Sequence, residues 1–306
     1  MFLIDLIKFK KIGFRYTMTP RLYTSLIIIT LVLLPIPSPA SDTVFTYRAP
    51  ESTKDSRYEY DTAVLKLALE KTKAKWGGYH LKASPVMNHS RAIEFLRSEK
   101  LENPMFKVSA NNSICEEIPH VPFPIDLGIV GYRLFFVSDQ TNHRLKKIKS
   151  LRELKKMTIG QGSGWLDTKI LNQAGFKVVT IPKYESLFHM VAENRFDLLS
   201  RGINEIESEY ASYRHIKDFS LNKTVGLYYP LPRFFFTNKG SQKALHRVYE
   251  GLVMAFNDGS LLKLWEHHYN SSLQFAHKDE VTFFKINNPF ISKIEPSYKQ
   301  FLMENH

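Results

Sequence analysis

Ile125-Asp-Leu-Gly-Ile-Val-Gly-Tyr-Arg-Leu-Phe-Phe-Val137 is a strongly β-prone run, longer than one strand of a small sheet requires. A second run, Val225-Gly-Leu-Tyr-Tyr-Pro-Leu-Pro-Arg-Phe-Phe-Phe-Thr237, mirrors it. A strand that leaves one lobe and enters another accounts for such a length. The pair therefore predicts two lobes joined by two crossing strands, the first outgoing and the second returning.

Working outward, alternating strands and helices flank and fill the space between the runs, a pattern that points to parallel sheets covered by helices. Before the first run, strands are expected at Thr43–Tyr47, Tyr79–Ala83 and Met105–Ser109, with helices at about Tyr58–Lys75 and Asn88–Ser98. Between the runs, strands are expected at Met157–Gly160, Lys177–Ile181 and Asp197–Ser200. Helices there are expected at Gly164–Ala174, Tyr184–Asn194 and Ile203–Tyr213. Beyond the second run come helices at Gln242–Asn257 and Ser260–Tyr269, then a tail from Asn287 expected to pack on the first lobe. The fold class is α/β and two-lobed. Residues 1–40 are a signal peptide, 41–131 open lobe 1, 132–225 form lobe 2, and 226–306 return to lobe 1.

The signal peptide rests on Leu22–Leu34, an apolar block too short to span a membrane, preceded by Arg21 and closed by Pro35-Ile-Pro-Ser-Pro-Ala40. Met18 offers an alternative start that gives the segment ordinary proportions. An uncleaved anchor is the competing reading, although the prolines would break a helix there. Cleavage before Ser41 removes five basic residues and one acid, taking the formal charge from +12 to +8. The expected location is the periplasm. No cysteine stands just after the cut, so a lipid anchor is not expected. Cys115 is the single cysteine, which excludes an intramolecular disulfide and a thiolate-rich zinc site. The basic run Arg144, Lys146, Lys147, Lys149, Arg152, Lys155 and Lys156 is read as a solvated face, since nucleic-acid binding conflicts with export.

Four segments carry a resemblance. They are Asp126-Leu-Gly-Ile-Val-Gly-Tyr-Arg133, Ile159-Gly-Gln-Gly-Ser-Gly-Trp165, Arg195-Phe-Asp-Leu-Leu-Ser-Arg-Gly-Ile-Asn-Glu205 and Phe256-Asn-Asp-Gly-Ser-Leu-Leu-Lys-Leu-Trp265. In order and spacing the chain resembles the type 2 periplasmic solute-binding fold, as a distant relative of the family 3 (amino-acid-type) binding proteins of ABC transporters. The likeness covers roughly Thr43 to Tyr269. It implies a hinged cleft, a small-molecule ligand (an amino acid or other small organic anion), an inner-membrane permease or sensor as partner, and neither cofactor nor metal. Two features depart from the family. Strand one ends in Tyr47-Arg48-Ala49-Pro50 rather than in an aromatic–proline pair, and Ala110–Pro124 shows no Ser/Thr-x-x-x-x-Arg motif of the kind that clamps a ligand carboxylate.

The candidate ligand-binding residues are Tyr47, Arg48, Gly162, Ser163, Gly164, Trp165, Arg201 and Glu205. Gln161–Trp165 follows a strand and opens a helix, so its backbone N–H groups suit an anion; an ordinary tight turn is the plainer reading. Arg201 offers a bidentate fork one residue past a strand, with Glu205 beside it to answer an ammonium or simply to pair with Arg201. Trp165 and Tyr47 are candidate apolar walls. Arg48 is the opposing cation from lobe 1, and Arg133, in the crossing run, also suits a hinge role. Ser163 lies in no GxSxG elbow and no histidine is placed to activate it, so no catalytic residue is assigned. The alternatives to a binding protein are a periplasmic hydrolase or transferase using Glu205, Glu207 and Glu209, or a sensory adaptor without a transported ligand.

Overall fold

The computed structural model describes residues 42–303, except Lys54. The expected signal peptide, its cleavage site and the start at Met1 or Met18 lie outside the described residues. Among the described residues, no helix is long and apolar enough to cross a membrane.

Two sheets organise the chain. The first has the order β2-β1-β3-β9, built from β1 (Thr43–Tyr47), β2 (Tyr79–Ala83), β3 (Pro104–Ser109) and β9 (Arg233–Phe236). β1 runs parallel to β2 and β3, while β9 lies antiparallel on β3. The second has the order β10-β8-β4-β7-β5-β6, from β4 (Tyr132–Ser138), β5 (Thr158–Gly162), β6 (Lys177–Ile181), β7 (Leu198–Gly202), β8 (Phe219–Tyr228) and β10 (Thr282–Lys285). β5 is parallel to β6 and β7, whereas β4 is antiparallel to both β7 and β8. Each sheet thus has a parallel heart with antiparallel strands added where the chain crosses.

Helices cover both sheets. On the first lie α1 (Glu59–Lys71), α2 (His89–Arg97) and α3 (Asn112–Glu117). α1 buries Val64, Leu65, Ala68 and Leu69, the 3.6-residue stripe visible in the sequence. Asn88 caps α2 by accepting the Arg91 N–H at 3.0 Å, and Asn111 caps α3 in the same way. α4 (Asp139–Leu145), α5 (Leu166–Gln173), α6 (Ser186–Ala192) and α7 (Ile206–Tyr213) flank the second sheet. Two long helices follow, α8 (Gln242–Asn257) and α9 (Ser260–Ala276). Gly251 of α8 lies against the Ala68 backbone, where a Cβ would come within 2.0 Å of the Ala68 carbonyl oxygen, so glycine permits the close α1–α8 crossing.

The crossings differ from two continuous strands. Leu127 and Gly128 adopt positive φ (54° and 87°), and a 3-10 turn over Ile129–Gly131 follows, so β4 begins only at Tyr132. On the return, Pro230 and Pro232 cannot donate to a ladder and separate β8 from β9. The two connections nevertheless run side by side. Val121 N–H donates to Phe235 C=O at 2.9 Å, Ile125 N–H to Arg233 C=O at 3.0 Å, and Tyr229 N–H to Gly131 C=O at 3.2 Å. α9 is pinned to the same place by Trp265 Nε1, which donates to the Asp126 carbonyl at 3.1 Å.

The tail packs on the first sheet, with Ile294 and Tyr298 among Phe106, Val108, Phe234 and Phe236. Residues 282–285 do not follow the rest of the 226–306 segment: as β10 they extend the second sheet by pairing with β8. In the basic run Arg144, Lys146, Lys147, Lys149, Arg152 and Lys156 are exposed, the solvated face anticipated.

Candidate functional site

Between the two sheets lies a cavity of ≈ 70 Å³. Its wall is drawn from strand ends and adjoining loops of both lobes, the position ligands take in open α/β sheets. Six cationic side chains line it. Arg48 follows β1, Arg57 precedes α1, Lys107 sits in β3, Arg133 in β4, Arg201 in β7, and Arg233 opens β9. Asp167 and Glu205 are the acids of the wall, and Tyr58, His89, Ser109 and Trp165 complete its polar and aromatic parts.

Each cation is held from behind. Arg133 Nη2 lies 2.9 Å from Asp167 Oδ1, which also accepts the Tyr229 hydroxyl at 2.6 Å. Arg201 donates from Nε to both oxygens of Glu209 at 2.9 Å, and from Nη2 to Glu209 Oε1 at 2.5 Å and Glu205 Oε2 at 2.9 Å. Arg233 Nη1 reaches Glu205 Oε1 at 3.2 Å. Lys107 pairs with the buried Asp61. Arg57 grips Asp55 at 2.6 Å and Glu51 at 3.0 Å and lays its guanidinium over the Tyr184 ring at 3.8 Å. These arrangements hold the cationic groups in fixed positions around the cavity.

Electrostatics follow from that packing. Burial raises the Glu205 carboxyl, but Arg201 and Arg233 outweigh it and hold the group well below the usual carboxylate range. Glu209, deeper and sharing Arg201, is pushed upward by burial more than Arg201 pulls it down. Burial, then the nearby Arg48 and Arg57, lowers His89 to about 4, so it is neutral at pH 7.

Of the residues expected at the site, Arg48, Trp165, Arg201 and Glu205 meet in this cavity. Gly162 and Ser163 line an adjoining pocket of ≈ 40 Å³ together with Trp165, Arg57 and His89. Gly164 adopts φ +80° and lies against Ser90 and His89. Tyr47 is half-buried against the core and is not part of either wall. Arg201 lies within β7, opposite Leu134 of β4, rather than one residue past the strand. The two readings of Arg201 coexist: it makes the salt bridge with Glu205 and it also faces the cavity.

The Gln161–Trp165 turn uses its own donors. Ser163 N–H donates to Ile181 C=O at 2.9 Å and Trp165 N–H to Gly162 C=O at 3.2 Å, so these two are not available to an anion. Gly162 has a different purpose. A Cβ there would lie 2.2 Å from the Trp165 ring, and glycine lets that ring fold back until the Arg201 guanidinium stands 4.9 Å from its centre.

Sequence reading passed over Arg57, Lys107, Asp167 and Arg233 and left Arg133 to the hinge. A signal existed: Lys107, Arg133 and Arg233 are cations set inside apolar strand runs (PMFKVS, YRLFFVS and RFFF). A charge at an inward strand position needs a partner or a ligand.

No protein-family model matches the sequence, and no curated protein matches it. Solved structures do. An ancestral arginine-binding protein bound to arginine is 17% identical, with a TM-score of 0.56 over 76% of this chain and 100% of its own. The arginine-specific periplasmic binding protein of Salmonella typhimurium is 13% identical, TM-score 0.56, over 75% of this chain and 100% of its own. A binding component of an ABC transporter from Wolinella succinogenes, complexed with lysine, is 18% identical, TM-score 0.56, over 75% and 97%. The chain has the two-lobed α/β fold of periplasmic amino-acid-binding proteins.

Proposed function

We propose that this chain is an exported solute-binding protein that closes its two lobes over a small anionic solute, for ABC-type uptake or for periplasmic sensing. The observation that carries the reading is the ring of six cationic side chains, contributed by both lobes and the connection between them, around one small cavity. The export signal in residues 1–40 and the fold shared with amino-acid-binding proteins support it. A small-molecule ligand is the expected partner, and a permease or a membrane sensor the expected recipient.

The test is a thermal-shift screen of amino acids, carboxylates and inorganic oxyanions, with scattering to follow closure. A ligand present at 100 times its Kd stabilises a one-site protein by about 2.7 kcal/mol. Arg48→Gln and Arg201→Gln are expected to weaken every hit. If hits appear whose affinity neither change alters, the cavity is not where they bind. If no solute stabilises or compacts the protein, the solute-binding reading fails.

A further inference from the structure

The wall cations are matched by a similar number of acids behind them, so net charge does not choose the solute. The unfilled hydrogen-bonding positions do. Arg48 Nε and Arg133 Nε, one from each lobe, are buried donors without a partner among the described residues. Both side chains line the cavity and are 4% and 1% exposed. Leaving buried donors unfilled is costly, so a site holding two of them is complete only when an acceptor arrives.

Most carboxylate oxygens of the wall are already in use. Glu205 Oε1 takes Arg233, and Oε2 takes Arg201 and the Gly202 N–H at 3.2 Å. Asp167 Oδ1 takes Tyr229 and Arg133. Among the wall carboxylates that leaves Asp167 Oδ2 for an incoming ammonium, with Arg133 beside it to repel one; Tyr58, Ser109 and the neutral His89 offer acceptors without a negative charge. The ≈ 70 Å³ volume is about half that of a cavity that takes benzene, so the solute is small.

Deepening the solute-binding reading, on which this rests, we propose that the solute is a compact oxyanion that offers acceptor oxygens to both lobes and carries no ammonium group. Glu205 is then a positioning residue that aligns Arg201 and Arg233, not a contact for an amino group. Short dicarboxylates and tetrahedral oxyanions share this chemistry.

Isothermal titration of the purified protein, dialysed free of carried-over solute into chloride buffer, separates the cases without any variant. Succinate and aspartate differ only by the ammonium; malonate, inorganic phosphate and sulfate test the two kinds of oxyanion, and glycine and arginine the simple amino acids. At least one of these ammonium-free oxyanions is expected to bind about 100-fold more tightly than any amino acid, with succinate ahead of aspartate. Whether malonate and succinate or phosphate and sulfate lead identifies the kind. Arg48→Gln is expected to weaken the leading oxyanion by about 10- to 100-fold. An amino acid that outbinds every one of these oxyanions overturns the oxyanion assignment and leaves the solute-binding reading intact. If none of these solutes binds, while a wider screen finds a neutral or cationic one that compacts the protein, the assignment is again overturned. If the wider screen finds nothing, the solute-binding reading falls with it.

Discussion

Arg201 is the residue on which most of the cavity depends, because two buried carboxylates share it. Removing one partner of a buried pair leaves an uncompensated charge, a loss of about 3–5 kcal/mol. Glu205 keeps Arg233 and the Gly202 N–H, so the loss falls mainly on Glu209, which keeps only the Tyr184 hydroxyl at 2.6 Å. Arg201→Met is therefore expected to lower stability by about 3 kcal/mol in urea melts at pH 7. Adding Glu209→Gln is expected to restore much of it; a double variant no more stable than the single one contradicts the assignment. His89 gives a separate, pH-dependent test. Its folded pKa of about 4 lies below the ordinary 6.5, with burial the largest cause and Arg48 and Arg57 behind it. Between those values the unfolded chain binds the proton and the folded one does not, so acid favours unfolding. Stability is expected to fall from pH 6.5 to about 4 and to lose nothing further through His89 below that. His89→Gln is expected to flatten this slope, and an unchanged slope excludes His89 as its source.

At the level of elements, the two connections between the sheets depend on the close approach of two backbones, where the proposed hinge lies. A Cβ on Gly131 would stand 2.7 Å from the Tyr229 carbonyl oxygen, beside the hydrogen bond that joins the connections. Gly131→Ala is expected to force them apart and cost about 1–3 kcal/mol, with a larger loss of ligand affinity than an alanine at Gly259, where nothing lies within 4 Å and the strain of φ +75° is local. Equal effects on affinity would remove Gly131 from the hinge. The elements themselves were legible where local pattern decides them. Thr43–Tyr47, Tyr79–Ala83 and Lys177–Ile181 form the strands read from the sequence, and Gln242–Asn257 is one amphipathic helix. The crossing runs were legible as β-prone but not as broken, because the interruption at Leu127 depends on a positive φ that its side chain does not advertise. β10 was missed because its partner, β8, is distant in sequence. The site divides in the same way. Arg201 and Trp165 stand next to glycines and were visible as a pattern. Lys107 and Arg233 acquire meaning only once β3 and β9 pair antiparallel and set them beside one cavity.

For the molecule as a whole, the question is what holds the lobes together around a cavity this small. Arg57, from the loop before α1, crosses to the second lobe and stacks on Tyr184 at 3.8 Å, while Ser56 Oγ meets Ser208 Oγ at 3.2 Å. Asp55 and Glu51 hold the guanidinium in place, so little side-chain freedom is lost when the stack forms. A desolvated cation–π contact contributes about 2 kcal/mol. If the lobes open and close as proposed, losing it shifts the ratio of closed to open forms by more than tenfold, and apparent affinity falls with the closed fraction. Tyr184 lines the adjoining pocket but not the main cavity, so its replacement tests closure without touching the solute. Tyr184→Leu is expected to enlarge the radius of gyration of the solute-free protein and to weaken solute binding about tenfold, mainly through faster release. Tyr184→Phe keeps the ring while losing the hydroxyl that binds Glu209, so it separates closure from the buried network. It is expected to leave the radius unchanged. If both variants open the protein equally, the Glu209 network and not the Arg57 stack holds the lobes shut; if neither does, the contact contributes nothing to closure.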